Sequence, residues 1–457
     1  MGKKAEAGLM KNVLVVGAGI SGLGAAHVLL RHGYQVLISD LHDNIKDLKE
    51  KQTLLALGAI FKFGAQAEIL LKNIDTVVVS PVVPLENPIV AAALKKGIPV
   101  ISEVELAYRM TKAPILAVTG TNGKTTTTTL LGDMINDSGI PFALAGNMGI
   151  SLSREAELVP ENGLIAAEIS SFQLEFIDTF RPKAAVILNI TPDHMERHHT
   201  MENYVETKAR IFENMGEDQC ILLNAEDSYT PYLAKKAHAE VCLFSTKKTV
   251  KEGASLLDDT LVLKRHGQEI VLAKIQDIQL KGNQNYENIL AASFLAYEGG
   301  IPVESIRHSI LSFKGLPHRI EFVGTFNGIS YYNDSKATNV DAAIKGMEAF
   351  NKPVILIAGG HDKGTPLNSF MEAAKKHVKH LILIGEAASR FKVEAEKFHI
   401  TSVVLASDME EAVKKGKELA GEGDTVLLSP ACSSFDMYSS FEERGLHFKR
   451  IVNKLNG

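Results

Sequence analysis

Short apolar runs of four to seven residues alternate with longer amphipathic stretches through most of the chain. "NVLVVG", "YQVLISD", "TVVVS", "ILAVTG", "LIAAEIS", "AAVILNI", "QCILLN", "PVILIAGG", "HLILIGE" and "DTVLLSP" are rich in Val, Ile and Leu. They are continuous rather than alternating, the pattern of parallel strands covered on both faces. Most end in Gly, Ser, Asp, Asn or Pro, where a strand-to-helix loop would begin, so the repeat predicts α/β architecture. Two breaks divide it into three domains, expected at 1–102, 103–314 and 315–457. The first lies in "ISEVELAYRMTKAP" (101–114), a helical connector ahead of a fresh strand; the second is the Gly-Pro turn of "SFKGLPHR" (312–319). Residues 246–280, with alternation in "DDTLVLKRHGQEIVLAKI", predict a small β excursion inside the middle domain.

Composition narrows the class. The 457 residues are 45% hydrophobic, enough for several ordinary cores, and the net charge of -5 carries no block of like charge. Nucleic acid is therefore not an expected partner. No stretch approaches the roughly 18 uninterrupted apolar residues of a membrane span, and "MGKKAEAGLMKN" lacks the apolar run of a signal peptide. Cys220, Cys242 and Cys432 are scattered and without metal-site spacing, which fits a reducing cytosol.

Two glycine loops carry candidate chemistry. Gly17-x-Gly19-x-x-Gly22 follows an apolar strand and opens a helix, and Asp40 closes the next strand. Glycines let backbone approach a diphosphate, and an acidic residue about 20 positions on suits a ribose hydroxyl. Alone, this loop points to a nicotinamide-dependent oxidoreductase or to a plain tight turn. The second loop is more specific. Gly120-Thr121-Asn122-Gly123-Lys124-Thr125 stands between "ILAVT" and "TTTTLLGDMI". Its N–H groups would ring the outer phosphates of a nucleotide, Lys124 would neutralise them, and the Thr125 hydroxyl suits Mg²⁺. Val118 occupies the first glycine position of the longer phosphate-loop pattern, so this is a shorter relative. A lysine at a helix start is disfavoured by the dipole unless an anion is present.

A metal carboxylate is expected at a neighbouring strand end, where Glu168 stands. His194 follows another strand, and the i, i+4 pair His194 and His198 raises a zinc site, for which no third ligand has suitable spacing. Pro192 places a turn rather than a helix before His194. Lys208, in "KARIF", reads either as a solvated helix face or as part of the site.

In order along the chain stand "TGTNGKTT", "GNMG", "EISSFQ", "NITPDHMERH" with "YVETKARIF", "GNQNYENILAA", "LPHR", "NDSKATN" and "SPACSSFD" with "FEERG". This set resembles the ATP-dependent Mur ligases of peptidoglycan synthesis, and among them those that add D-glutamate to UDP-N-acetylmuramoyl-L-alanine. The resemblance implies an N-terminal Rossmann-like domain for the UDP-substrate, a central P-loop ATPase with a parallel sheet, and a C-terminal Rossmann-like domain for the amino acid. It implies ATP and two Mg²⁺ as cofactors, the two substrates as partners, and a monomer. Ile20, Ser21, Asp40 and Ser80 would meet the UDP diphosphate, with Asn147, Ser170, Gln173 and His194 nearer the reacting end. Gly120 to Thr126 (Thr126 included) would hold ATP with Asn285, Asn288, Arg319 and Asp334. Thr125 and Glu168 would hold one Mg²⁺; His194 and Lys208, carbamylated, would hold the second. Lys124, Asn147, His194, Lys208 and Lys336 would be catalytic, and Lys363, Ser434 and Phe441 would take D-glutamate.

The chain departs from the family pattern at Gln284, where relatives carry histidine, and in "SPVVP" (80–84), which replaces Ser-Pro-Gly. No role is assigned to His361 or Asp362, and Cys432 reads as a small buried residue. Sister ligases adding other amino acids share the central motifs; a nicotinamide-dependent oxidoreductase would leave the lysine loop, Glu168 and "NDSKAT" without a purpose. A nucleotide-gated binding module without turnover would not need so many charged residues.

Overall fold

The computed structural model describes residues 11–43, 45, 47–64, 68–350 and 352–456. The stretch read above as lacking a leader therefore lies, in its first ten residues, outside the described residues. The chain divides into two compact units, one of Met1–Ile278 with Tyr286–Ser312, the other of Gln279–Asn285 with Phe313–Gly457.

The first unit holds two sheets. One has five parallel strands in the spatial order Ile60–Phe63, Gln35–Asp40, Asn12–Val16, Thr76–Val79, Val100–Ser102. Val13 and Val15 face one layer with Leu29 and Ile38; Leu14 and Val16 face the other with Val77, Val79 and Ile89. Burial on both faces is why these runs are continuously apolar. Strand order reverses at Asn12–Val16, so the glycine loop after Val16 opens at the switch point where ligands gather in such sheets.

The other sheet has nine strands: Gln268–Lys274, Thr260–Arg265, Gly253–Leu257, Glu240–Ser245, Cys220–Asn224, Ala184–Ile187, Ile115–Thr119, Leu164–Glu168 and Phe142–Gly146. It is parallel except at the first two pairings, where the expected β excursion continues the sheet as an antiparallel meander. Ile115–Thr119 lies between Leu164–Glu168 and Ala184–Ile187, so the lysine loop leaves the sheet flanked by the ends of those two strands. The helix Glu103–Met110 fills the expected connector and ties the two sheets together. The buried Glu103 carboxylate accepts from the Ser151 hydroxyl (2.7 Å) and the Ser153 amide (2.6 Å), and Ser102 N–H donates to the Phe176 carbonyl (2.8 Å).

The second unit carries six strands in the order Glu321–Phe326, Ile329–Asn333, Thr425–Leu428, Val354–Gly359, Val378–Ile384, Val403–Leu405. Only the first pair is antiparallel. It turns at Asn327-Gly328, both at positive φ (52° and 75°), as a tight hairpin demands. Among the described residues no helix is long and apolar enough to cross a membrane.

Candidate active site

The lysine loop is held from outside itself. Thr121 N–H donates to the Asn189 carbonyl (2.9 Å), and the Asn189 side chain pairs with both backbone groups of Asn122 (2.8 and 3.1 Å). The Thr121 hydroxyl donates to the Thr191 carbonyl (3.1 Å) and meets the Tyr204 hydroxyl (3.2 Å). Gly120 (φ 150°) and Gly123 (φ 87°) supply backbone conformations that side chains resist. A Cβ on Gly123 would stand 2.3 Å from the Asn288 side-chain oxygen. The helix Lys124–Asp137 starts at Gly123 with no side-chain cap and no acidic residue in its first turn, leaving a positive helix end in the loop.

Lys124 bends back, donating to the carbonyls of Gly120 (2.8 Å) and Thr121 (2.7 Å). Lys208 reaches the same Gly120 carbonyl (2.8 Å), with its amine 4.6 Å from the Tyr204 ring centroid. Lys208 is 1% exposed, so the solvated-face alternative is wrong. Burial, then the Lys124 charge, hold its ammonium well below the usual range. Glu168, 2% exposed, accepts from the Asn147 amide (2.9 Å) through one oxygen. Its other oxygen is buried without a hydrogen-bond partner among the described residues, a costly arrangement for a carboxylate.

His194 caps the short helix Met195–His198 at φ 55°, so the turn expected after Pro192 is present. Its exposed ring lies 4.8 Å from the Phe172 ring and 3.7 Å from the Asp193 carboxylate. His198 is buried instead, with Nε2 2.9 Å from the Ser171 hydroxyl. Burial, then the Lys208 charge, depress its pKa to about 4. Among the described residues no three His, Cys, Asp or Glu come together as a metal cluster. Asn288 is buried and accepts from the Thr127 hydroxyl (3.2 Å), which brings it to the loop; Thr126 is buried in the helix. Ser170 and Gln173 form a capping box on the helix Ser171–Leu174.

At the N-terminal loop, Gly17 N–H donates to the Ser39 carbonyl (2.8 Å) and the Ser80 hydroxyl donates to the Gly17 carbonyl (3.2 Å). A Cβ on Gly17 would meet Ser80 at 2.6 Å, and one on Gly22 would meet the Gly17 carbonyl at 1.9 Å, whereas Gly19 faces open space. Asp40 accepts from the Ala18 amide (2.6 Å). Ile20 is 61% exposed beside the partly covered Ser21 at the start of the helix Ile20–Arg31.

The second unit assembles its own cluster. Asp334, buried, accepts from the Ser429 hydroxyl (2.7 Å) and the Ile320 amide (3.3 Å); burial raises its pKa to about 7 against the nearby Arg319 charge. Glu321 pairs with Lys449 and accepts from the His318 amide (2.9 Å). The Lys336 amine stands 3.9 Å from the Phe441 ring centroid. Arg444, 1% exposed, donates to Ser335 Oγ (3.0 Å) and to the carbonyls of Ser335 (2.9 Å), Cys432 (3.0 Å) and Ser433 (3.2 Å), stapling "NDSKAT" to "SPACSS". Ser434 is buried, Lys363 exposed, and Asn285 donates to the Lys281 carbonyl (2.8 Å). Cys432 is a buried thiol pushed up to about 12, as its reading as a small packed residue requires.

Three family models match the chain: a Mur ligase MurD-like N-terminal domain over 11–102, a Mur ligase middle domain over 118–296, and a Mur ligase glutamate ligase domain over 318–432. A UDP-N-acetylmuramoylalanine–D-glutamate ligase of Caldanaerobacter subterraneus subsp. tengcongensis is 46% identical, covering 97% of this chain and 98% of the relative. The chain belongs to the Mur ligase family. A second such ligase, from a Thermoanaerobacter species, is 45% identical over the same shares. Among solved structures, the UDP-N-acetylmuramate–alanine ligase of Thermotoga maritima shares the fold at 20% identity and a TM-score of 0.58, over 97% of this chain and 99% of that one. A MurF ligase from the same organism, solved with ADP, does so at 18% and 0.60, over 92% and 95%.

As a Mur ligase, the chain has anchors that its sequence left unmarked: Asn189, Tyr204 and Arg444. All lie inside motifs quoted above, but nothing local distinguishes an asparagine that braces a loop 67 residues away from one that caps a turn.

Proposed function

We propose that this Mur ligase joins D-glutamate to UDP-N-acetylmuramoyl-L-alanine at the expense of ATP, in peptidoglycan synthesis. The observation that carries the reading is the pair of lysines, Lys124 and Lys208, converging on one carbonyl of a glycine loop beside a buried carboxylate with an unsatisfied oxygen. Lys124 brings a cation to the start of a helix that has no acidic side chain in its first turn, and a triphosphate is the anion that suits such a loop.

A carboxylate is a poor acyl donor. One of its oxygens attacks the γ-phosphorus, ADP leaves, and an acyl phosphate forms. The D-glutamate nitrogen then attacks the acyl carbon, gives up a proton, and phosphate departs from the tetrahedral intermediate with the C–O bond pair. Phosphoryl transfer asks the protein chiefly for clamped oxygens and neutralised charge. In this reading the helix start at Lys124 and the loop N–H groups bind the phosphates, and Lys124 swings from its carbonyls to neutralise them. Asn147 holds Glu168 in place and faces the reacting carboxylate, while Lys336 approaches from the C-terminal domain. Asn285, Asn288, Arg319 and Asp334 complete the ATP site; Lys363, Ser434 and Phe441 receive D-glutamate; Ile20, Ser21, Asp40 and Ser80 receive the UDP moiety. Ser170 and Gln173 act through the cap that fixes their helix. The domains take these roles over 1–102, 103–314 and 315–457.

The donor set fits Mg²⁺. The orphaned Glu168 oxygen and the Thr125 hydroxyl would hold one ion, His194 and a carbamylated Lys208 a second, and the ions would supply charge neutralisation at the phosphates. Burial lowers the Lys208 pKa and so favours the uncharged amine, the form that adds CO₂. Cytoplasmic location and a monomeric state belong to the same reading. Measuring ADP release with each amino acid in turn tests it: dependence on D-glutamate is expected, and dependence on another amino acid would overturn the substrate assignment.

A further inference from the structure

Arg197, inside "PDHMERH", spans the two sheets of the first unit. Its Nε and Nη2 donate to the Glu175 carboxylate (3.0 and 2.5 Å). The same Nη2 also donates to the carbonyls of Val83 (2.9 Å) and Pro81 (3.5 Å) in the loop after Thr76–Val79, and Nη1 reaches the Val82 carbonyl (3.4 Å). It also lies 4.8 Å from the Phe172 ring, which is in turn 4.8 Å from the His194 ring. The captured loop starts at Ser80, whose hydroxyl touches the Gly17 carbonyl in the first glycine loop (3.2 Å), and Val83 N–H closes a turn onto the Ser80 carbonyl (3.0 Å). A planar guanidinium can hold a carboxylate on one edge and carbonyls on the other; a lysine cannot.

We propose that Arg197 is a positioning residue that sets the register between the diphosphate loop and the reacting end of the site. "SPVVP" lacks the glycine of the usual Ser-Pro-Gly; here an arginine from the other sheet ties that loop to Glu175. The inference rests on the ligase reading, because the molecule that feels the register is a UDP-linked substrate long enough to touch both loops. UDP alone touches only one of them.

The test is calorimetric binding of UDP and of UDP-N-acetylmuramoyl-L-alanine to the full chain without ATP, compared between wild type, Arg197→Met, Arg197→Lys and Glu175→Gln. Arg197→Met is expected to weaken the full substrate at least tenfold while leaving UDP within twofold, with Arg197→Lys between it and wild type. Glu175→Gln, which keeps the shape but frees the guanidinium, is expected to weaken the substrate in the same selective way and covers the case in which Arg197→Met fails to fold. Equal weakening of both ligands, or of neither, would overturn the inference alone. Wild-type protein that binds neither would overturn the ligase reading and this inference with it.

Discussion

Replacing Gly123 by alanine puts the lysine loop itself under strain of a size that can be worked out. Gly123 sits at φ 87°, where an L side chain costs about 1–2 kcal/mol. The new Cβ would stand 2.3 Å from the Asn288 oxygen, so Asn288 must swing away and give up its bond from the buried Thr127 hydroxyl, a loss of about 1 kcal/mol. The total is about 2–3 kcal/mol. If the loop keeps its shape, the whole cost appears as lost stability. If it relaxes, nucleotide must restore it, and affinity falls by up to roughly 30- to 150-fold. Gly139→Ala is the control: Gly139 has a similar φ of 77° but nothing within 4 Å of a new Cβ. Urea midpoints and titration of a fluorescent ATP analogue should show Gly139→Ala losing about 1 kcal/mol of stability with ATP binding unchanged. Gly123→Ala should lose about 2–3 kcal/mol over the two measurements together. Indistinguishable behaviour of the two variants would refute the placement of Gly123 against Asn288 and, with it, the loop geometry.

Lys208→Met keeps the buried volume, gives up one bond to Gly120 and relieves the burial of an amine, so stability should change by no more than about 1 kcal/mol while ADP formation falls at least a hundredfold; near-normal turnover would make Lys208 structural. His198 has a folded pKa of about 4 against 6.5 free, so the unfolded chain takes up its proton first and stability falls as pH drops through that window. From pH 7 to 5 the loss is roughly 2 kcal/mol, and urea unfolding of His198→Asn should lack this component; parallel profiles would argue that His198 is charged in the fold.

All ten apolar runs first read as strands are strands, because burial on both faces leaves a signal that no helix period competes with. Strands such as Val403–Leu405 and Ile60–Phe63 are short and partly exposed, so little apolar pattern marks them. The hairpin at Asn327-Gly328 carried its own turn signal, and the assignment of Gln279–Asn285 to the second unit carried none. Within the site, Lys124 and Glu168 were legible from the chemistry that their positions demand. Lys208 was ambiguous, since a lysine on an amphipathic helix normally faces water and only the fold shows it buried. Asn189 and Arg197 act through partners 67 and more than 100 residues away, which no local pattern encodes.

The central claim is that residues 120–125 bind ATP for transfer of its terminal phosphoryl group to a UDP-linked carboxylate. ADP release by the purified chain with Mg²⁺ and UDP-N-acetylmuramoyl-L-alanine tests it most directly. The account predicts steady-state turnover that requires D-glutamate and stops when any one component is omitted. No ADP with the complete mixture, or the same rate without the UDP-linked acid, would contradict it.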